Sequence, residues 1–211
     1  MSEKPTILVG WVTSGVIRAE FVRSLLALQI YPLEKWILGG TMDQVSSYID
    51  DNRNNLVRDF LKNTNGNWLL MVDIDMVFNP KAIDHLYEYV AKGEKIIAGI
   101  YNTVISSREG MPALVPLSYE LNPETDRYSS VALDGPRYVD GAPAGFLLLR
   151  RSALELIELQ SGPRWFSRSE TNEPGVLYGE DLSFCRRAKR AGLNVLAVPK
   201  LEIRHLKVVP V

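Results

Sequence analysis

The chain has 211 residues, 46% of them apolar and 23% charged, enough to bury the core of one α/β domain. Its net charge of −1 gives no global electrostatic drive toward nucleic acid or a membrane surface. The single cysteine, Cys185, excludes an intramolecular disulfide and a cysteine-based zinc cluster, and the first apolar stretch is too short for a signal peptide or a membrane span. A cytoplasmic setting is expected.

Residues 6–12 form a continuous apolar run of strand length, followed by Thr13-Ser14-Gly15 as a turn. A helix then carries Phe21, Val22, Leu25 and Leu28 at helical spacing. Strand, small-residue turn and helix open a nucleotide-binding half-sheet, with hydroxyls and amides at the ligand edge. Gly10 and Gly15 do not make a GxGxxG and no Walker lysine is present, so neither standard phosphate loop is available. A second strand is predicted at 36–40.

The helix predicted over 44–62 has an apolar stripe of Ile49, Leu56, Val57 and Phe60, and Arg53 falls on it. An unpaired guanidinium in a core is costly. Arg53 must therefore snorkel out, pair with a structural carboxylate, or reach the nucleotide edge of the sheet together with Asn54.

Residues 68–72, Trp-Leu-Leu-Met-Val, read as a strand covered on both faces, and Asp73 and Asp75 follow at its C-terminal end. In extended chain these two carboxylates point the same way. Ligands of open α/β sheets bind outside that end of the strands, so the pair suits a hard divalent cation carrying a phosphorylated ligand. A loop aspartate beside a helix-capping aspartate is the plain alternative. Asn79-Pro80 starts a helix over 80–91 that buries Ile83, Leu86 and Val90 and closes at Gly93, with His85 a surface or satisfied core residue. Residues 95–101 form another inner strand. The β-α-β-α-β-α-β order argues for a mainly parallel, doubly wound sheet with helices on both faces.

The alternation stops at a polar loop over 102–110. Short strands are predicted at 113–117, 128–133 and 138–139, a small antiparallel portion. The small-residue turn at Gly141 to Gly145 feeds a strand at 146–149 and a helix at 152–159. Residues 160–178 form a long irregular segment with Arg164, Trp165 and Phe166, suited to a lid or binding loop whose aromatics stack on a ligand or simply pack. Glu180 and Asp181 open the next helix, either as caps or as a general base, since a helix start favours ionised carboxylates. That helix has Leu182, Cys185 and Ala188 as its buried stripe and Arg186, Arg187, Lys189 and Arg190 as a basic face, solvated or turned to an anionic acceptor. Cys185 reads as a core thiol. After a strand at 193–198, the late His205 can complete a divalent-metal shell begun by Asp75.

In this order these features resemble the GT-A glycosyltransferases over essentially the whole chain. They are the Val12-Thr13-Ser14 turn, Arg53-Asn54, the Asp-x-Asp of Asp73 and Asp75, the Gly141 to Gly145 turn, Glu180-Asp181 and a late histidine. The resemblance implies a single GT-A domain, Rossmann-like, with a nucleotide-binding half at 1–101 and an acceptor-side half at 102–211. It implies Mn²⁺ or Mg²⁺ on Asp75 and His205, with Asp73 toward the ribose or the metal. Thr13, Ser14, Arg53, Asn54 and Gly145 would serve the nucleotide sugar, a UDP-sugar being favoured. Asp181, or else Glu180, would take the proton from an acceptor hydroxyl with inversion at the anomeric carbon. The acceptor would be a glycan, a lipid-linked sugar, a protein or a modified nucleobase. The chain is short for the family, which leaves room for a second subunit in a homo-oligomer to complete the acceptor side. The competing readings are a nucleotidyltransferase that makes nucleotide sugars and a catalytically inactive nucleotide-binding or assembly module.

Overall fold

The structure is a computed structural model that describes residues 4–106, 112–169, 171 and 173–206. The first half runs β1 (Thr6–Thr13), α1 (Ala19–Gln29), β2 (Ile37–Val45), α2 (Ile49–Asn63), β3 (Trp68–Val72), β4 (Met76–Phe78), α3 (Lys81–Val90) and β5 (Ile96–Gly99). Five short strands follow: β6 (Asn102–Ser106), β7 (Pro112–Pro116), β8 (Tyr119–Asn122), β9 (Arg127–Ser130) and β10 (Arg137–Val139). The chain ends with β11 (Phe146–Arg150), α4 (Arg151–Ser161), α5 (Glu180–Arg190), β12 (Val195–Val198) and β13 (Ile203–His205).

Seven strands form the central sheet in the order β10-β12-β5-β11-β3-β1-β2. Five run one way and β10 and β11 run against them, so the Rossmann-like sheet is mainly parallel and mixed in its second half. The unbroken apolar strands are explained by their alternation between two covered faces. Leu69, Met71, Ile96, Ala98, Leu147 and Leu149 face a core closed by α2, α4 and α5. Leu70, Val72, Ile97, Phe146 and Leu148 face the opposite core, closed by α1 and α3. Smaller antiparallel ribbons pair β4 with β13, β6 with β7, and β8 with β9. No helix among the described residues is long and apolar enough to cross a membrane.

Several boundaries differ from expectation for definable reasons. β2 runs on to Val45 because it stays paired to β1 as far as Thr13, so α2 starts at Ile49 rather than at 44. Part of the expected polar loop is instead β6, held by five residue pairs to β7; its residues 107–110 lie outside the described residues. α1 buries Phe21, Ser24 and Leu28 and leaves Val22 at its surface, since Ser24 donates within the helix and accepts the Phe78 amide. On α5 the buried residues are Ser183, Phe184, Cys185 and Ala188, with Leu182 half-buried. His85 is exposed. Asn79 does cap α3: its Oδ1 accepts the Lys81 amide at 3.0 Å.

Candidate active site

The expected residues gather at the C-terminal ends of β1 and β3, where α5 and β13 return to the sheet. β11 lies antiparallel to β3 with Phe146 opposite Val72, which puts Gly145 opposite Asp73. The Asp73 amide donates to the Gly145 carbonyl at 3.0 Å. Past Asp73 the chain turns, with the Met76 amide donating to the Asp73 carbonyl at 3.0 Å. The extended geometry assumed for the Asp-x-Asp therefore does not hold, and its two carboxylates diverge.

Asp75 turns toward β13. The β4–β13 register sets His205 opposite Met76, beside Asp75, and the Leu206 amide donates to the Asp75 carbonyl at 2.8 Å. His205 Nε2 then lies 2.9 Å from Asp75 Oδ2, and its ring packs 5.2 Å from that of Tyr101. Burial pushes the Asp75 carboxyl up, but the His205 hydrogen bond and charge, with help from Arg18, outweigh it and hold it below its ordinary value. A separation of 2.9 Å is also that of adjacent donors on a cation with bonds of about 2.1 Å, and a carboxylate oxygen beside an imidazole nitrogen suits a first-row divalent ion. The pair fits such an ion, but among the described residues no third His, Cys, Asp or Glu joins it. Water and substrate would have to complete the shell.

Asp73 turns instead to Arg53, which is buried at 2% exposure. Arg53 Nη2 donates to Asp73 Oδ1 at 3.0 Å and Oδ2 at 3.1 Å, and Nη1 donates to Glu180 Oε1 at 2.9 Å and to Asp181 Oδ1. The arginine on the apolar stripe thus finds three carboxylates from two elements. Burial alone would weaken its hold on the proton; Asp181, Asp73 and Glu180 more than reverse that and keep it cationic. Asp181 also accepts the Ala144 amide through Oδ2 at 3.2 Å. Burial chiefly pushes its carboxyl up to about 6; Arg53 opposes the rise, while Glu180 and Asp73 add to it. Its side chain is 28% exposed against 15% for Glu180, so Asp181 is the more open of the two.

On the other side of Asp73 lies a cavity of about 540 Å³, lined by Thr13, Ser14, Arg18, Ser46, Ser47, Asn52, Asp73 and Asp75 among others. Thr13 Oγ1 accepts the Gly15 amide at 3.0 Å, which fixes the turn and leaves Ser14 exposed at the rim. A larger groove of about 700 Å³ between α1 and the β4–β13 ribbon is lined by none of Asp73, Asp75, Glu180 and Asp181.

Two expected residues stand elsewhere in role. Asn54 is buried and faces away from the cavity: its Oδ1 accepts the Phe166 amide at 2.8 Å and its Nδ2 donates to Ser167 Oγ at 3.2 Å. Its neighbour two positions back, Asn52, faces the cavity and donates to the Ser46 carbonyl at 3.0 Å. Arg53 is likewise occupied by carboxylates rather than open to a phosphate. The half-buried Arg18, at the start of α1, is the cation that lines the cavity, and sequence reasoning passed over it because it interrupts no pattern.

Tyr101 was also missed. It ends the apolar run of β5 and reads as core, yet its position just past a parallel strand is the ligand edge. A Cβ built on Gly145 would lie 2.1 Å from Tyr101 Oη and 2.9 Å from Asp73 Oδ2, so only glycine leaves room for both. Burial first, then the charges of Asp73 and Asp181, push the phenol well above its ordinary value.

Segment 160–178 packs its aromatics rather than offering them. Trp165 and Phe166 are buried, Phe166 stacks on Phe184 at 4.5 Å, and Trp165 Nε1 donates to the Leu154 carbonyl at 2.8 Å. The basic face of α5 is partly used internally: Arg186 pairs with Asp126 at 2.9 Å and Lys189 with Asp140 at 2.5 Å. Burial raises the Cys185 thiol to about 12, in keeping with a core residue.

No protein-family model and no curated protein sequence matches the chain. Among solved structures, the crystal structure of A197 from STIV is similar with a TM-score of 0.62 at 17% identity, over 96% of this chain and 86% of that one. A structure of GalNAc-T7 with UDP, GalNAc and Mn²⁺ is similar with a TM-score of 0.65 at 10% identity, over 97% of this chain. The present chain spans 43% of the GalNAc-T7 chain. At such identities the likeness concerns the fold, and the fold is mixed α/β and GT-A-like.

Proposed function

We propose that the chain is a metal-dependent glycosyltransferase that moves a sugar from a nucleoside-diphosphate sugar, a UDP-sugar being favoured, to an acceptor hydroxyl. The observation that carries this reading is that Asp73 stands between two chemically distinct groups, the Asp75–His205 pair and the Arg53-bound Asp181. The similarity to GalNAc-T7, solved with UDP, GalNAc and Mn²⁺, supports it at the level of fold.

In this reading Asp75 and His205 would hold Mn²⁺ or Mg²⁺, which supplies Lewis-acid neutralisation of the departing diphosphate. Thr13, Ser14, Ser46, Ser47 and Asn52 line the nucleoside end of the cavity, and Arg18 adds positive charge toward the diphosphate. Asp181 accepts the acceptor's hydroxyl proton as the new carbon–oxygen bond forms. The bond to the phosphate oxygen breaks with its electron pair going to the diphosphate, a single displacement that inverts the anomeric carbon. Arg53 and the Ala144 amide orient Asp181, and the shared burial holds its proton affinity near working pH. Residues 1–101 would form the donor half and residues 102–211 the acceptor half of one domain.

The test is incubation with a panel of nucleotide sugars, Mn²⁺ and candidate acceptors, with analysis of the nucleotide released. Nucleoside diphosphate from the wild-type chain is expected, and about 10²–10⁴ less of it per unit time from Asp181→Asn. Pyrophosphate made from a nucleoside triphosphate and a sugar phosphate would instead establish a nucleotidyltransferase.

A further inference from the structure

We infer that the Tyr101 hydroxyl is a sugar-contacting group that donates a hydrogen bond to an oxygen of the transferred sugar and so takes part in donor selection. The inference rests on the proposed glycosyl transfer and adds a residue to it. Tyr101 is 7% exposed as a residue; its hydroxyl makes no hydrogen bond among the described residues, yet that oxygen is not sealed from solvent. A tyrosine with a buried ring and an open O–H presents an apolar body and a polar tip to whatever binds there. A bound molecule can meet that tip with an oxygen of its own.

Position says which part of that molecule it meets. The Tyr101 ring packs on His205, at the end of the site that would take the diphosphate. Its hydroxyl reaches over Gly145 toward Asp73 Oδ2, and Asp73 leads through Arg53 to Asp181, where the acceptor hydroxyl would enter. Between a leaving diphosphate and an incoming hydroxyl stands the sugar being moved. Gly145 serves the same purpose, since any side chain there would occupy the place of the phenol oxygen.

Tyr101→Phe keeps the ring packed and removes only the hydroxyl. Calorimetry with UDP and Mn²⁺ should give the same affinity for variant and wild type. The kcat/KM for the preferred nucleotide sugar should fall roughly three- to tenfold, the scale of one hydrogen bond. Across a set of monodeoxy sugar donors, one that wild type turns over poorly should be discriminated less by the variant. Unchanged efficiency and unchanged discrimination in Tyr101→Phe would overturn the inference alone. Equal weakening of UDP itself would also overturn it, by moving the contact to the diphosphate. A wild-type chain that neither binds nor turns over any nucleotide sugar would remove the glycosyl-transfer reading and this inference with it.

Discussion

At the scale of single residues the site is a problem in charge. One buried guanidinium faces three carboxylates; burial first, and then the charges of Glu180 and Asp73, hold Asp181 up to about 6 against an ordinary 3.8, with Arg53 opposing. The folded chain therefore binds that proton more tightly than the unfolded chain does. The stability this contributes is full below pH 3.8 and is lost as pH rises through about 6. Asp181→Asn does not titrate, so its melting temperature should gain on wild type between pH 4 and 7.5; a difference independent of pH contradicts the shift. Transfer by wild type should rise with pH through about 6 and fall by about 10²–10⁴ in the variant. Arg53→Met leaves the carboxylates facing one another without a cation and should cost about 3–5 kcal/mol by denaturant titration at pH 7.5. The deficit should shrink at acid pH; a loss below about 1 kcal/mol at both would mean the ion pairs hold little together. The anomaly at Arg53 was legible in sequence because a cation on an apolar stripe demands a partner. The partner's identity was not, since Glu180 and Asp181 are 127 and 128 residues away along the chain.

At the scale of elements, the site depends on how two helices and two strand ends are seated. Arg151, the first residue of α4, closes the open C-terminal turn of α2: its guanidinium donates to the carbonyls of Phe60, Leu61, Thr64 and Gly66 at 2.8 to 3.0 Å. It also lies over the Phe60 ring, 4.5 Å from its centre. The Phe60 and Leu61 carbonyls belong to the last turn of α2 and carry the negative end of its dipole. Arg151→Ala should cost about 2–3 kcal/mol in denaturant titration, and Arg151→Lys should recover only part of it; a variant as stable as wild type would show that water caps α2 equally well. The apolar runs of β1, β3, β5, β11 and β12 were legible because burial on both faces leaves an uninterrupted signature. The length of β2 was not: Gly39 and Gly40 read as its end, whereas Gly40 takes a φ of 121° at a register shift and the strand continues. The Asp-x-Asp geometry was misjudged for a similar reason, because i, i+2 alignment needs extended chain and Asp73 begins a turn.

At the scale of the whole molecule, the candidate site is assembled by return of the chain to one edge of the sheet. β11 comes back antiparallel to set Gly145 beside Asp73, and β13 comes back beside β4 to set His205 beside Asp75. The second pairing was anticipated, since the late His205 was read as a partner for Asp75; the first leaves no local mark, because nothing in the Gly141 to Gly145 turn says which strand end it will face. What could be read was the alternation of strands and helices, the edge at which ligands collect and the meeting of His205 with Asp75; what could not was the meeting of Gly145 with Asp73 and of Arg53 with Glu180 and Asp181. The central claim is that this edge binds a nucleoside diphosphate through a cation on Asp75 and His205. Calorimetric titration of UDP, with GDP alongside, into the wild-type chain with Mn²⁺, with chelator, and into Asp75→Asn tests it directly. The account predicts saturable binding with Mn²⁺ that vanishes on chelation and weakens roughly tenfold or more in Asp75→Asn. Binding indifferent to both the metal and Asp75 would contradict it.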